Sequence, residues 1–507
     1  MELQRYKCRQ MIEKDRAFRQ ITLDDDFIVR DHKPDVVRIL YTKGDIYIES
    51  TKIGNQVVWV SGRLHFVILY QSDQEERCLE CLEGDLPFQE KINLDPVGEG
   101  DHIQVDSNIE DLTAGLINSR KVVIRGVISL SVVDEGEVEY QLTQGILQEG
   151  EARTRTKQAE VLTLTEYQVV PLSVVKEIPL PSTKGTIGDI ILFQWDLGNR
   201  EFIPRDKELI LSAQMPLWVL YRREEGSGYE YYETRVAMTE SLGAWEEGAW
   251  PQIRILPERV DLKVLQDYEG EKRILGLELH LTVEKKGYKE EEILLLEDAY
   301  AREKELHLEQ EELLSQTLKI RNLSTVRVKE QEKLPAKKER ILQLGGSFGR
   351  VLIDRVIKKD NGVEIEGILM VSLLYHTNED ATPYAGHSSQ HGFWQFVEIN
   401  DLNPDTILKV GARLEQLQVN LLDQAEYEVK AEIEAEVWAI QPTKINNITG
   451  IREEEMDKEA FHKQPGLIGV RKGDGEDLWD IAKRYHASTE NIIDLGEKVL
   501  VVKQIGK

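Results

Sequence analysis

The strongest constraint on the fold is an apolar stretch that occurs three times in the chain. It reads VVWVSGRLHFVILY at 57–70, ELILSAQMPLWVLY at 208–221 and GVEIEGILMVSLLY at 362–375. Each copy ends in Leu-Tyr and is followed by a polar turn. The copies are spaced by roughly 150 residues, the size of an ordinary domain, whereas solenoid repeats are typically about 20–50 residues long. The sequence therefore predicts duplicated domains in series.

A second repeated stretch closes each of these units, at 119–133, 271–283 and 425–438. Apolar and polar residues alternate in it, which is typical of a strand with one buried face. Alternating strands joined by short turns favour three tandem antiparallel β-sandwich-like units, although the pattern does not separate a sandwich from a barrel. We predict a mainly β protein with units at 1–150, 151–324 and 325–445, a linker at 446–466 and a small module at 467–507.

The composition excludes some classes of function. Asp and Glu number 92 and Lys and Arg 64, which gives a formal net charge of −28 over 507 residues. A surface this acidic repels phosphate backbones and anionic lipids. We therefore expect no nucleic-acid partner. The length fits three or four domains.

The N-terminal sequence and the cysteines bear on the compartment. The first residues contain no continuous apolar segment of the secretory type, and no run of about 18 apolar residues occurs in the chain. We expect neither a signal peptide nor a transmembrane segment. The three cysteines, Cys8, Cys78 and Cys81, fit a reducing compartment. Because no second ligand pair lies near the CxxC formed by Cys78 and Cys81, we interpret them as partly buried cysteines rather than a zinc or redox site.

The sequence gives little indication of catalysis. HExxH, Walker A and Cys-His patterns are absent. Pairs of carboxylates are too common in this chain to indicate glycoside hydrolysis. We predict that the protein is not an enzyme, with no catalytic residues, no cofactor and no metal site.

Three local patterns give further predictions. Lys43-Gly44-Asp45 is typical of a hairpin turn between two apolar stretches. Residues 288–330 are highly charged, but the strict alternation from Glu305 to Glu309 favours an extended segment over a helix. Residues 446–466 are polar, without periodicity, and end in Pro-Gly, which indicates a flexible linker.

The last forty residues differ in character from the rest of the chain. Leu478, Ile481, Ala482 and Tyr485 recur at helical spacing. Asp477, with Asp480 three residues later, predicts a capped helix start. Ser488 predicts the start of a second short helix that turns Ile492 and Ile493 inward. With strands near Val470 and at 499–502, the predicted order is strand, helix, helix, strand.

This segment resembles the LysM domain, whose usual pattern is GDTLWxIAxxY, through GEDLWDIAKRY at 475–485. The resemblance implies binding of N-acetylglucosamine-containing glycans such as peptidoglycan. It places a groove between two loops, with Gly475, Glu476 and Asp477 on one side and Asn491 and Gly496 on the other. It also implies a core formed by Leu478, Trp479, Ile481, Ala482, Tyr485 and Ile492.

The chain departs from the LysM pattern at both loops. Gly473 and Asp474 precede the motif as extra residues, and the second loop is shortened at 495–498. Neither loop offers an aromatic ring to stack on a sugar. We therefore favour a module that docks a protein over one that reads a glycan, and both interpretations remain open.

The whole chain resembles the SPOCS-domain proteins, the SipL-like spore morphogenetic family. The resemblance rests on HKPDVVRIL (32–40), GRLHFVILY (62–70), INSRKVVIRGVISL (117–130), LEDAY (296–300) and the terminal LysM-like module. It implies a non-catalytic adaptor in the mother-cell cytoplasm that links the spore-coat basement-layer ATPase to the forespore surface. The alternative is a cell-wall protein that binds peptidoglycan.

Overall fold

A computed structural model describes residues 1–75, 77–98, 100–147, 152–225, 228–335, 338–456, 465–473 and 475–502. The protein is mainly β and consists of several small antiparallel sheets, as predicted. The predicted boundary at 150/151 and residues 457–464 of the predicted linker lie outside the described residues.

Three successive groups of strands form the bulk of the molecule. The first unit contains β1 (Leu3–Ile28), β2 (Val36–Gly54), β3 (Val57–Ser72), β4 (Leu79–Asn93), β5 (His102–Asn118) and β6 (Lys121–Ile146). The second contains β7 (Ala152–Pro179), β8 (Ile187–Trp195), β9 (Gly198–Arg205), β10 (Glu208–Arg223), β11 (Tyr229–Ala244), β12 (Trp250–Leu265) and β13 (Ile274–Ala301). The third contains β14 (Lys304–Lys333), β15 (Ile341–Lys359), β16 (Gly362–Thr377), β17 (Tyr384–Glu398), β18 (Ile407–Leu421) and β19 (Glu426–Glu455).

Each unit is built from two sheets with the same connections. The hairpin sheet has consecutive strands, with the orders β2-β3-β4, β8-β10-β11 and β15-β16-β17, and β9 pairs additionally with β10. The ribbon sheet pairs the first and last strands of the unit and adds the strand before the last: β1-β6-β5, β7-β13-β12 and β14-β19-β18. Apolar side chains from both sheets meet between them in every unit, in one cluster in the first and second units and in two clusters in the third.

The two repeated stretches of the sequence are the central strands of these sheets. The Leu-Tyr copies form β3, β10 and β16, and the closing copies lie in β6, β13 and β19. A central strand is hydrogen-bonded along both edges and covered by its neighbours. It therefore carries a stronger apolar pattern than an edge strand, and its repetition is the easiest to detect.

The leucine and the tyrosine of the Leu-Tyr ending point to opposite faces of the sheet, because side chains alternate along a strand. Tyr70, Tyr221 and Tyr375 are buried in the cores of their own units. The preceding leucines, Leu69, Leu220 and Leu374, point to the opposite face and meet in a single apolar cluster. The dipeptide therefore serves both the domain core and the junction between the three units.

The long first and last strands continue beyond the third strand of their sheet as two-stranded ribbons. β5, β12 and β18 stop pairing at Glu135, Tyr288 and Ile440 respectively. A β-bulge follows at the same place in every unit, between Glu13/Asp15, Leu164/Glu166 and Leu318/Ile320 of the partner strand. The ribbons pack against one another through buried side chains such as Cys8, Leu142, Val161, Ile293 and Ile445.

Two local predictions need correction, and a third is confirmed. Lys43-Gly44-Asp45 is not a turn, because β2 continues through it. A Cβ atom on Gly44 would lie 2.7 Å from Leu112 Cδ2, so this glycine permits close packing of β5 instead. Residues 446–455 of the predicted linker form the end of β19. Residues 288–330 are extended, as predicted, although the predicted boundary at 324/325 falls inside β14.

The tail module contains β20 (Leu467–Arg471), helix α1 (Leu478–Arg484), a 3-10 turn (Thr489–Asn491), β21 (Ile492–Asp494) and β22 (Lys498–Val502). Its sheet has the order β20-β22-β21. The predictions of a second α-helix and of an inward-facing Ile493 are wrong, because Ile493 is 50% exposed. The chain from Thr489 makes a single turn, and β21 then pairs with β22, so backbone hydrogen bonds go to the sheet.

Candidate functional site

The tail module begins with the predicted helix cap. The Asp477 carboxylate accepts a hydrogen bond from the Asp480 backbone N–H at 2.9 Å, and the Asp480 carboxylate accepts one from the Asp477 N–H at 3.1 Å. These bonds satisfy two of the free donors at the helix start. The bond from Asp480 N–H also holds the pKa of Asp477 below its usual value.

The predicted core residues of the module lie together. Ile481, Ala482 and Ile492 are buried, and they pack with Ala487, Val499 and Val501 on the inner face of the sheet. Leu478, Trp479 and Tyr485 are partly buried against the same cluster. A buried side chain from outside the module, Tyr300 of β13, completes this core.

Trp479 contacts the second β unit directly. Its indole N–H donates to Asp298 Oδ2 at 2.8 Å, and Lys483 Nζ lies 2.6 Å from Asp298 Oδ1. The indole ring packs edge to face on Tyr300, with centroids 4.9 Å apart. One carboxylate near the end of β13 therefore holds both the tryptophan and the lysine of α1.

Further hydrogen bonds fasten the module to the ribbon formed by β7 and β13. The Tyr300 hydroxyl donates to the Ala487 carbonyl at 2.8 Å, and the His486 ring donates from Nδ1 to the Ala301 carbonyl at 2.9 Å. Arg155 Nη1 pairs with Asp477 Oδ2 at 3.0 Å. The module is therefore docked on the second unit through apolar, polar and charged contacts at once.

The other two units do not offer this docking surface. All three ribbons carry a second bulge, at the steps Gln4/Arg5, Leu296/Asp298 and Glu309/Gln310. Strand pairing makes Gly145 and Gly450 the equivalents of Asp298 in the first and third units. A glycine offers no carboxylate to Trp479 or Lys483, so the acceptor is specific to the second unit.

The first loop of the predicted groove is largely occupied by internal contacts. Gly475 is exposed and has a positive φ of 77°, which favours glycine. The Glu476 carboxylate accepts from the Gly473 N–H at 3.0 Å and pairs with Arg484. Since Asp477 is engaged by Arg155, this side of the groove faces the second unit.

The second loop of the predicted groove lies at the same end of the module. The Asn491 N–H donates to Ser488 O at 2.9 Å, and the Gly496 N–H donates to Asp494 Oδ1 at 2.9 Å. Lys472, next to the first loop, bonds to both Glu497 O at 3.0 Å and Asp494 Oδ2 at 2.6 Å. The structure thus brings the two loops together through Lys472.

The docking residues of the second unit were not identified from the sequence. Asp298 and Tyr300 lie within LEDAY, which the resemblance marked without giving either residue a role. The sequence did contain one sign of them. At the end of the strand an apolar stretch gives way to an acidic residue, Asp298, and an aromatic residue, Tyr300. Their partners in the tail are more than 180 residues away in sequence.

The CxxC cysteines are partly buried side chains. Cys78 and Cys81 are free thiols, and Cys81 packs against the apolar cluster between the units. Burial raises the pKa of Cys81 to about 12. A thiol with so high a pKa stays protonated near neutral pH and is a poor nucleophile.

Among the described residues, one group of side chains is close enough to share an ion. Ligand atoms of Glu305, His307 and Glu454 all lie within 4.8 Å of one another at the exposed end of the third ribbon. Exposed carboxylates commonly cluster without an ion, so the group carries no assignment. No helix in the described part of the chain is both long and apolar enough to cross a membrane.

The fold and the docked tail define a protein of tandem β domains that carries a small terminal module. Residues 35–117 and 339–422 match the family model described as SipL, SPOCS domain. This match indicates a sporulation-related protein. No curated protein and no solved structure matches the chain.

The matched ranges cover the hairpin sheet and the following strand of the first and third units. These two units also share a detail at the end of the central strand. Ser72 Oγ donates to Arg77 O at 2.5 Å, and Thr377 Oγ1 donates to Thr382 O at 2.5 Å. The second unit has Arg223 at this position, which lacks the short hydroxyl side chain of Ser72 and Thr377. The unmatched unit therefore keeps the topology while its local turn chemistry differs.

Proposed function

We propose that this protein is a non-catalytic adaptor in endospore coat assembly. The observation that carries the proposal is the combination of three β units of one topology, two of them matching the SPOCS domain, with a tail module docked on the second unit. On this reading the second unit is a divergent SPOCS domain of the same sandwich-like kind. The tail is a LysM-like domain with one α-helix.

The docked tail favours a protein partner over a glycan. Asp477 is engaged by Arg155, so the first loop of the LysM-type groove faces the second unit, on which the tail is also held by the bond from Trp479 to Asp298. A sugar chain bound between the two loops would compete with these contacts. The family resemblance suggests the coat basement-layer ATPase as the partner and the mother-cell side of the forespore surface as the location.

The first experiment is a binding assay with the purified basement-layer ATPase. The full chain is compared with residues 1–466 and with the variant Asp298→Ala. We expect the full chain to bind, the truncated chain to lose binding, and Asp298→Ala to bind at least as well. The last expectation follows because this variant loosens the docking without touching the tail's own buried residues.

A parallel sedimentation assay with purified peptidoglycan distinguishes the adaptor from the alternative, a cell-wall protein that binds peptidoglycan. If the full chain ignores the ATPase but sediments with peptidoglycan, and residues 1–466 do not, the tail is a glycan reader and the adaptor proposal is wrong. If residues 1–466 bind the ATPase as tightly as the full chain, the adaptor role belongs to the β units and not to the tail.

A further inference from the structure

The outer face of the tail sheet carries an apolar strip. Side chains that alternate outward along β20 and β22 are paired as Leu467 with Val502 and Gly469 with Leu500. Ile493 of β21 lies opposite Leu500 on the same face. Leu467 is 56% exposed and Ile493 50%, while Val499 and Val501 point to the buried side. We call Leu467, Gly469, Ile493, Leu500 and Val502 the outer strip.

Two basic residues border the outer strip at one end. Arg471 and Lys498 are directly opposite each other on β20 and β22, and both are exposed. Like charges directly opposite across a ladder are destabilising. Arg471 is near Glu497 at 3.6 Å, but both side chains are largely solvated, so this pair contributes little. An acidic group placed over this pair would relieve the repulsion.

The strip also has a shallow notch at its centre. No heavy atom lies within 4 Å of the position that a Cβ atom on Gly469 would occupy. The backbone of β20 is therefore accessible to a side chain from outside. An apolar group of a partner can enter this notch beside Leu467 and Leu500.

Two other faces of the module are already in use. The helix side packs on Tyr300 and Asp298, and the first groove loop pairs with Arg155. An exposed apolar face rimmed by polar residues commonly marks a binding surface. In a chain with a net charge of −28, a basic border on this face also selects for acidic partners.

We propose that the outer strip is where the tail receives its protein partner, and that the partner supplies an apolar segment flanked by acidic side chains. Apolar side chains cover Leu467, Leu500 and Ile493, one of them fills the notch at Gly469, and a carboxylate lies over Arg471 and Lys498. The inference rests on the proposed role of the tail as a protein-docking module, and it moves the contact away from the groove between the loops.

The test uses the full chain with a photo-reactive p-benzoylphenylalanine at position 493, expressed in sporulating cells. The matched control carries the same group at position 323, where Leu323 is 54% exposed on the third unit. We expect an adduct at 493 that maps to an apolar segment with acidic flanks in another protein. The substitution Gly469→Glu is expected to reduce this adduct at least tenfold. Gly392→Glu, at another glycine with open space around it, is expected to leave it unchanged.

The outcomes separate this inference from the proposed function. An adduct to a second copy of this chain, to lipid or to glycan, or an adduct unaffected by Gly469→Glu, overturns the outer strip as the docking face. ATPase binding that needs the tail but survives Gly469→Glu also overturns it and leaves the adaptor function intact. An adduct to an acidic-flanked segment of some other protein supports the strip and contradicts the ATPase as partner.

Discussion

The first unit differs from the second and third at one equivalent position near the junction of the three units. Where the strand before the last stops pairing, the second unit places Tyr288 and the third places Ile440, both within an apolar cluster between the units. The first unit places Glu135 there, with 1% of its surface exposed. Three copies of one fold therefore meet through side chains of different chemistry.

The buried carboxylate is neutralised by the other two units. Lys286 of the second unit pairs with Glu135 Oε2, and Lys409 of the third lies 2.6 Å from Oε1. Burial by itself would raise the pKa of Glu135, but the two ammonium groups outweigh it and lower the pKa to about 2. One residue of the first unit thus contacts both neighbours. The three repeated units are therefore joined through a residue that departs from the repeat.

The largest expected effect comes from making the first unit resemble the others at this position. Glu135→Leu leaves Lys286 and Lys409 without their partner in a buried site, which costs about 3–5 kcal/mol. We expect a matching fall in the free energy of unfolding, measured from urea midpoints.

The control for this substitution removes all three charges. Glu135→Leu combined with Lys286→Met and Lys409→Met is expected to recover most of the loss, since apolar replacements of buried ion pairs are often neutral or stabilising by about 1–4 kcal/mol. A triple variant as unstable as the single one would show that volume, and not charge, decides this position.

The second effect is a dependence of stability on acid. The folded-state pKa of Glu135 is about 2, below its ordinary value of 4.5. Its contribution is therefore fully present above pH 4.5 and is lost as the pH falls towards 2, by about 3 kcal/mol in total. Unfolding curves at pH 6 and pH 3 should show a larger loss for the native chain than for the triple variant. An equal loss of stability in the two proteins would show that this dependence on pH does not come from Glu135.

The third effect concerns Asp298, the carboxylate that the second unit has where the first and third units have a glycine. Asp298→Asn removes the charge that holds Lys483 and weakens the acceptor for Trp479, and hydrogen bonds to charged groups contribute about 1.5–3 kcal/mol. We expect faster amide hydrogen exchange in α1 and at the end of β13, with the first and third units unchanged. Lys483→Met should give a smaller change in the same segments. Unaltered exchange in α1 would mean that the carboxylate does not hold the tail.

The smallest effect distinguishes two equivalent tyrosines. The Tyr70 hydroxyl donates to Pro34 O at 3.2 Å, whereas the buried Tyr375 hydroxyl has no hydrogen-bond partner among the described residues. Tyr70→Phe should therefore cost about 0.5–1.5 kcal/mol, and Tyr375→Phe should cost nothing or stabilise slightly. Equal costs for the two substitutions would show that the hydroxyls are in equivalent environments.

Patterns within one strand or one helix were predictable from the sequence. The alternation of the Leu-Tyr and closing stretches identified the central strands of all six large sheets, because a strand paired on both edges has a strict burial pattern. The helix cap at Asp477 and Asp480 was found for a similar reason, since a capping box is complete within four residues.

Predictions that depended on the surroundings of a residue were wrong. The sequence predicts a turn at Gly44, but the packing of Leu112 against this glycine decides its role. The sequence predicts a helix start at Ser488, but β22 pairs with the segment that follows and draws it into the sheet. In both cases a contact distant in the chain overrode the local preference.

The sequence alone therefore determined three repeated β units and a distinct terminal module, since periodicity is a property of neighbouring residues. Only the tertiary structure decided how they are joined. Glu135 meets Lys286 and Lys409, and Trp479 meets Asp298, across separations of more than 150 residues. The chain has 92 acidic residues, and the sequence around any one of them does not show which cation it will pair with. That choice follows from the packing of whole units, in which burial makes an unpaired charge costly.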